Sequence, residues 1–255
     1  MNKFGPILEV CVDSFAGLMA AKKGGADRIE LCSSLSEGGL TPSAGLMQAA
    51  AQAGLPCHVM IRPRAGDFNY DPHDIEIMAH DISTARSYNL SGVVFGIEDG
   101  AGNLDIKSLG RLMEEASGLD TTLHRVVDVI TDRLRAIDMA VELGFDRILT
   151  SGGAQNADIG ASEIAKMVQH AGEAIILMPG GGITAENVAH IFKATGAKEF
   201  HASCKAVKNS LSPNMFAKTT QRHTSADIVR KVKAALRDTG PVSYTHLTLP
   251  TICSV

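Results

Sequence analysis

Eight short apolar segments recur along the chain, and the distance from the start of one to the start of the next is 20 to 35 residues. Each interval can hold one helix and two loops, which is the spacing of repeated strand–helix units. The predicted strands are Leu8–Asp13, Arg28–Cys32, Cys57–Pro63, Gly92–Gly96, Thr121–Val126, Arg147–Ser151, Ile175–Gly180 and Glu199–Ser203. Apolar residues recur between them with a helical period. Two such stripes are Ile75, Met78, Ile82 and Ala85, and Leu134, Ile137 and Val141.

The number of units favours closure of the sheet into a barrel. A (β/α)8 barrel needs about 250 residues, and the chain has 255. An open, doubly wound sheet is the main alternative, but no G-x-G-x-x-G motif follows the first strand. We therefore predict an α/β fold with a single (β/α)8 TIM barrel over residues 1–238. Residues 239–255 carry no Asp, Glu, Lys or Arg and no sustained period, and we interpret them as an unstructured, non-native tail.

Composition limits the kinds of binding partner and the cellular compartment that we expect for this chain. The net charge of −4 gives no electrostatic reason to expect binding to nucleic acid or to an anionic membrane. No apolar run approaches the roughly 20 residues of a membrane-spanning helix, and no signal peptide is evident. Five cysteines, odd in number and widely separated, do not suggest a disulfide framework. We expect a cytoplasmic protein with reduced thiols, and the sequence leaves homo-oligomer formation open.

Polar residues occupy the strand positions that face the barrel interior, whereas the alternate positions are apolar and suit the helix layer. Barrel interiors are usually filled by Val, Ile and Leu, and an unpaired buried charge costs several kcal/mol, so this polar set indicates a site. The alternative is a structural ion-pair network that joins Glu9 and Glu30 to Arg62, Arg64 or Arg125. The inward positions include Glu9, Cys11, Glu30, Cys32, His58, Met60, Arg62, Arg64, His124, Glu199 and His201.

Two cysteines could bind a metal ion. Thiolate, imidazole and thioether groups are the ligands that Cu(I) prefers. If Glu9 lies level with Glu30 on the neighbouring strand, Cys11 lies level with Cys32, and the two sulfurs are close enough to share a metal ion. Buried cysteines that only pack are the competing interpretation.

Two further chemistries suit the same interior. His124 and His201, with Glu30 or Asp128, supply groups for acid–base catalysis near neutral pH. Gly180, Gly181 and Gly182 follow the seventh strand, where this fold usually binds phosphate through backbone N–H groups. We expect Arg62 and Arg64 to face these glycines across the mouth and to help bind an anion.

Seven stretches of the sequence together resemble the CutC family, whose members are described as copper homeostasis proteins. The resemblance runs from about Leu8 to Ser203 and implies a (β/α)8 barrel. It also implies that the proposed copper-binding cysteines of the family correspond to Cys11 and Cys32. Ala65 stands where the family usually has Gly, and Val126-Val127 replaces Ala-Phe. The stretches are EVCVDS, GGADRIELCSSLSEGGLTPS, VMIRPRAGDFNY, HRVVD, RILTSGG, MPGGGIT and EFHAS.

Two functions therefore remain open. The first is cytoplasmic Cu(I) binding and copper homeostasis through Cys11 and Cys32, without turnover. The second is an enzyme that acts on a small anionic molecule, for example a phosphorylated one, with His124 or His201 as acid or base. A carrier needs the two thiols but not the arginines, whereas the enzyme needs the arginines and tolerates loss of a thiol.

Overall fold

The computed structural model describes residues 5–209 and 220–239, and within them eight parallel strands form the predicted barrel. The ladder order is β7-β6-β5-β4-β3-β2-β1-β8, so each strand pairs with its neighbour along the chain and β1 pairs with β8. No ladder hydrogen bond joins β7 to β8 among the described residues, so the barrel is nearly closed. The strands are β1 (Ile7–Val12), β2 (Arg28–Leu31), β3 (Cys57–Met60), β4 (Gly92–Phe95), β5 (Asp120–Leu123), β6 (Arg147–Thr150), β7 (Ile176–Pro179) and β8 (Glu199–Ala202).

In the described part of the chain, eight α-helices surround the sheet, and their apolar faces pack on the outward rows of the strands. In β1 this row is Leu8, Val10 and Val12, none of which is exposed to solvent. The alternation of apolar outward and polar inward positions is therefore confirmed for this strand. The helices are α1 (Phe15–Gly24), α2 (Ala44–Ala51), α3 (Pro72–Ser87), α4 (Ile106–Glu115), α5 (Arg133–Leu143), α6 (Ala161–Ala171), α7 (Val188–Thr195) and α8 (Ala226–Arg237).

Two of the predicted helical stripes have different outcomes. Helix α3 buries the predicted set, Ile75, Met78, Ile82 and Ala85. Helix α5 instead buries Ala136, Ile137 and Ala140, while Leu134 and Val141 are partly exposed at 38% and 36%. The stripe of α5 was predicted wrongly because small alanines, which carry little hydrophobic signal, form the face that lies against the sheet.

A two-stranded antiparallel hairpin lies between β8 and α8 and was not predicted. It consists of β9 (Lys205–Asn209) and β10 (Thr220–Thr224). Lys205 is paired with Thr224, and Val207 with Arg222. The hairpin follows directly on β8, so it lies at the end of the barrel where the carboxyl ends of the strands meet.

The stagger between β1 and β2 differs from the one assumed for the two cysteines. Glu9 lies level with Arg28, and Cys11 lies level with Glu30. The premise that placed Cys11 level with Cys32 is therefore wrong, although both residues are on inward rows. Cys11 is paired with Glu30, and Cys32 lies one inward position closer to the mouth than Glu30.

Residues 240–255 of the predicted tail lie outside the described part of the chain, so the boundary at 238 stays a prediction. Within the described ranges, no helix combines the length and the apolar character that crossing a bilayer would require.

Candidate functional site

The floor of the barrel is a network of buried charges. The guanidinium of Arg28 donates from Nε to Glu9 and from Nη2 to Glu199, each at 2.5 Å. Arg147 lies beside the same Glu199 carboxylate, with Nε 3.3 Å from Oε2. Arg28 and Arg147, which the sequence interpretation missed, therefore balance these carboxylates. The strand alternation that placed Glu30 inside would also have placed Arg28 there.

The predicted ion-pair network of Glu9 and Glu30 with Arg62, Arg64 or Arg125 is wrong. None of the ion pairs within 4.0 Å in residues 5–209 and 220–239 joins those arginines to Glu9 or Glu30. The reason is position along the barrel axis, because these three arginines follow their strands at the mouth, whereas Glu9 lies at the floor.

Glu9 is held as a carboxylate by its neighbours. Complete burial alone would raise its pKa, but the charge of Arg28 and the hydrogen bond with His201 outweigh burial and lower the pKa below its usual range. Glu9 therefore presents a fixed negative charge to both Arg28 and His201.

His201 lies above Glu9 and contacts a second carboxylate. Its Nδ1 is 2.9 Å from Oε1 of Glu9, and its Nε2 is 3.6 Å from Oε2 of Glu30. Burial lowers the pKa of His201, but Glu30, Cys11 and Glu9 together raise it well above the ordinary value. Burial raises the pKa of Glu30, with the charge of Glu9 acting in the same direction. Because the pKa values of Glu30 and His201 are both raised, the pair tends to retain a proton.

Cys11 completes a compact group with these two residues. One ligating atom each from Cys11, Glu30 and His201 lies within 4.8 Å of the others, and all three residues are buried. Cys32 does not belong to this group. Its sulfur lies 3.5 Å from Oε2 of Glu30, and its side chain packs with Met60 and Val94 inside the barrel. Burial raises the pKa of the Cys32 thiol well above the usual range.

His124 directly follows β5 and is fixed as a neutral imidazole. Its Nδ1 accepts a hydrogen bond from the N–H of Val126 at 3.1 Å, so the proton resides on Nε2. Burial, together with the charge of Arg62, lowers the pKa of His124 to about 3. Nε2 is buried and has no hydrogen-bond partner in the described part of the chain. His124 is therefore suited to donate a hydrogen bond to a ligand rather than to exchange protons near neutral pH.

Asp128, the other residue predicted for acid–base work, is saturated with hydrogen bonds. Its oxygens accept from Thr150 Oγ1 at 2.6 Å, from the N–H groups of Ser151 and Gly153 at 3.0 Å, and from Arg125 Nε at 2.8 Å. These bonds leave Asp128 suited to orienting Arg125.

The two arginines after β3 have separate surroundings. Arg62 is only 6% exposed and donates to the backbone carbonyls of Glu37, Gly39 and Gly66, which ties two loops together. Its Nε has no partner among the described residues. Arg64 instead forms ion pairs with Asp67 and Asp74, at 3.1 and 2.9 Å. The strand ends at Met60, three residues earlier than predicted, so Arg64 is outside the inward row.

The three glycines after β7 also differ. The N–H of Gly180 donates to the carbonyl of Thr150 at 2.8 Å, so it is used within the fold. Gly181 and Gly182 have φ of +87° and +77°, which only glycine adopts readily. A side chain at Gly180 would overlap Leu149, so close packing also requires glycine there.

A cavity of about 860 Å³ opens over this floor at the carboxyl ends of the strands. Leu35, Met60, Phe68 and Leu149 provide apolar surface within it. Three residues that sequence reasoning had given no ligand-binding role, Arg125, Lys205 and Arg222, also line it. Cys32, Arg64 and Gly180 are not among the lining residues. The predicted site residues that the structure brings together in the cavity are Cys11, Glu30, Arg62, His124, Asp128, Gly181, Gly182 and His201.

Comparison with known proteins supports the resemblance noted in the sequence. The CutC family model matches residues 6–206. A CutC family protein of Caulobacter vibrioides is 46% identical over 243 residues, which cover 93% of this chain and 99% of the relative. The human copper homeostasis protein cutC homolog is 44% identical over 207 residues, which cover 81% of this chain and 76% of the relative.

Solved structures agree with the fold. A CutC crystal structure from Streptococcus agalactiae has a TM-score of 0.75 and 34% identity, and the match covers 78% of this chain and 98% of that one. The Pyrococcus furiosus thiamine phosphate pyrophosphorylase, at 16% identity and a TM-score of 0.57 over 91% and 96% of the two chains, shares the barrel architecture alone. By family model and by sequence identity over most of its length, the chain belongs to the CutC family.

Proposed function

We propose that this protein is an enzyme that acts on a small anionic molecule, for example a phosphorylated one, by proton transfer through Glu30 and His201. The observation that carries the proposal is the Glu30–His201 pair at the floor of an open cavity. Both pKa directions favour a retained proton, and groups with perturbed pKa values in a cleft are typical of catalytic sites. Glu9, which is bonded to Nδ1 of His201, orients the ring.

The anionic character of the substrate is inferred from Arg62. This guanidinium is almost fully buried, and none of the ion pairs within 4.0 Å in the described ranges includes it. The segments that the structure does not describe contain no Asp or Glu that could pair with Arg62. A buried charge without a counter-charge is costly, so binding of an anion beside Arg62 would be favourable. His124 Nε2 is the neighbouring donor for a substrate oxygen.

The first test identifies ligands and the residues that bind them. Small carboxylates and phosphate esters would be screened by thermal shift against the wild type, Arg62→Met, His124→Asn and Arg64→Met. We expect carboxylates that stabilise the wild type to lose their effect in Arg62→Met and His124→Asn, and phosphate esters to lose part of theirs. Both kinds of compound should keep their effect in Arg64→Met, whose charge is already paired. Equal shifts in all four proteins would contradict the role of Arg62.

The second test follows conversion of any bound compound by NMR. Glu30→Gln keeps the shape of the side chain but removes its proton-exchanging carboxyl group, so we expect binding without conversion. Conversion at the wild-type rate in Glu30→Gln would contradict the proposed proton transfer.

A second candidate is cytoplasmic Cu(I) binding through Cys11, with a role in copper homeostasis. The group formed by Cys11, His201 and Glu30 favours it, because thiolate and imidazole suit Cu(I) even though carboxylate is a harder ligand. Cys32 lies against Glu30 and would be the second sulfur. The four cysteines of the described ranges are free and buried, in keeping with a reducing compartment. A titration that compares Cys11→Ser with Cys32→Ser tests this candidate.

A further inference from the structure

We infer that the hairpin of β9 and β10 completes a phosphate subsite on the side of the cavity opposite Arg62, formed by Lys205, Arg222, Arg125 and the glycine loop. The inference rests on the proposed function and extends it, because it assigns a phosphate group to the substrate in addition to the anionic group beside Arg62. In the ring of eight strands β3 and β7 are four positions apart, so Arg62 after β3 and Gly181 after β7 lie on opposite sides of the mouth.

The hairpin contributes two cations to one face. In the antiparallel register, Lys205 is opposite Thr224 and Val207 is opposite Arg222, so Lys205 and Arg222 point to the same side of the hairpin. Both line the cavity. Within residues 5–209 and 220–239, none of the ion pairs closer than 4.0 Å includes either of them, and the remaining segments carry no Asp or Glu. Their charges are therefore available to a ligand.

Arg125 is oriented toward the same place. Its Nε donates to Asp128 and its Nη2 donates to Ser151 Oγ at 2.6 Å, which fixes the guanidinium and leaves Nη1 for another acceptor. Nη1 faces the glycine loop, since a Cβ built on Gly181 would lie 3.3 Å from it. The saturated carboxylate of Asp128 thus has a positioning role for this subsite.

Backbone amides provide the remaining donors. Gly181 and Gly182 both have positive φ, and no described acceptor receives a hydrogen bond from either N–H. Successive amides in such a turn form a concave anion site. Three cations and two amides exceed what a single carboxylate can use, whereas the three terminal oxygens of a phosphate group can accept from all of them.

Binding of inorganic phosphate tests the subsite without knowledge of the substrate. Isothermal titration calorimetry at constant ionic strength would compare the wild type with the hairpin double variant Lys205→Met/Arg222→Met. The control is the double variant Lys193→Met/Lys23→Met, which removes two exposed lysines of helices α7 and α1. We expect the hairpin double variant to bind phosphate at least about tenfold more weakly than the wild type, and the control to bind it equally well. Acetate should bind the wild type more weakly than phosphate does.

Melting temperatures would show that each variant is folded. Equal phosphate affinity in the wild type and the hairpin double variant would overturn the inference, as would a wild type that does not bind phosphate. Arg62→Met should retain phosphate affinity, because Arg62 lies across the cavity. If the wild type does not bind phosphate but converts a substrate without a phosphate group, this result contradicts the subsite and not the proposed function. Phosphate binding as expected, with conversion unaffected by Glu30→Gln, contradicts the proposed function and leaves the subsite intact.

Discussion

The carboxylate of Glu9 is hydrogen-bonded to Nδ1 of His201, at 2.9 Å, inside the barrel. The other oxygen of this carboxylate accepts from the guanidinium of Arg28 at 2.5 Å. Glu9 therefore joins the charge network of the floor to the imidazole that faces the cavity. A change at Glu9 should consequently affect both the stability of the barrel and the chemistry of His201.

Glu9→Gln should lower the free energy of unfolding by about 3 kcal/mol, since removing one partner from a buried ion pair leaves the other charge poorly compensated. Arg28 would keep Glu199 as its only carboxylate among the described residues. Urea unfolding of the variant would measure the change, with Glu186→Gln at an exposed position as the control. Equal midpoints for Glu9→Gln and the wild type would show that the Glu9–Arg28 pair contributes little net stability.

His124 should make stability depend on pH in a defined window. Its pKa is about 3 in the folded protein and about 6.5 in an unfolded chain, so the unfolded state binds the extra proton between these values. The stabilising contribution of the neutral ring is complete above pH 6.5 and is lost as the pH falls toward 3. Between pH 6 and 4 the wild type should lose about 1.4 kcal/mol per pH unit more than His124→Asn.

Urea unfolding at pH 6, 5 and 4 would measure this difference. Carboxylates titrate in both proteins and cancel in the comparison. Gln169→Asn, which alters an exposed side chain that does not titrate, should run parallel to the wild type. Parallel curves for His124→Asn and the wild type would show that His124 is not held neutral by its surroundings.

Gly96 should be needed to seat His124. A Cβ at this position would lie 2.5 Å from Cγ1 of Val126 and 2.7 Å from Nδ1 of His124, closer than real contacts allow. Gly96→Ala should therefore cost about 2 kcal/mol of unfolding free energy through overpacking. Gly45→Ala is the matched control, because an exposed Cβ in α2 would meet no atom within 4 Å and alanine favours the helix by up to about 1 kcal/mol. Thermal unfolding of both variants should show shifts of opposite sign.

The barrel was predictable because its signal is repeated. Strand spacing and the alternation in β1 each point to the same architecture, and alternation also placed Glu30 and His201 inside. The stagger of β1 against β2 was not predictable, because a shift by two residues leaves the inward rows unchanged. Cys11 therefore came to lie level with Glu30 instead of Cys32.

Two of the site residues that sequence reasoning missed lie in segments without a strong hydrophobic pattern. Lys205 and Arg222 belong to a hairpin whose strands, KAVKN and TQRHT, have too few apolar residues to show alternation. Arg64 was placed in the cavity because β3 was extended through Pro63. Proline has no N–H for the ladder, and the chain leaves the sheet before it, which carries Arg64 toward Asp74.

Substitution of Cys11 and Cys32 distinguishes the copper-binding function from the enzymatic one. If Cu(I) is a functional ligand, Cys11→Ser and Cys32→Ser should each weaken binding by about a hundredfold, because the serine hydroxyl is a harder and far more basic ligand than thiolate. Competition with a Cu(I) chelator measures the affinity, and Cys57→Ser is the control because Cys57 packs in the helix-side core. Loss of affinity in Cys11→Ser alone would fit the group with His201 and Glu30, where Cys32 has no part. Equal affinity in all four proteins would contradict the copper site and leave the anion-binding cavity as the functional centre.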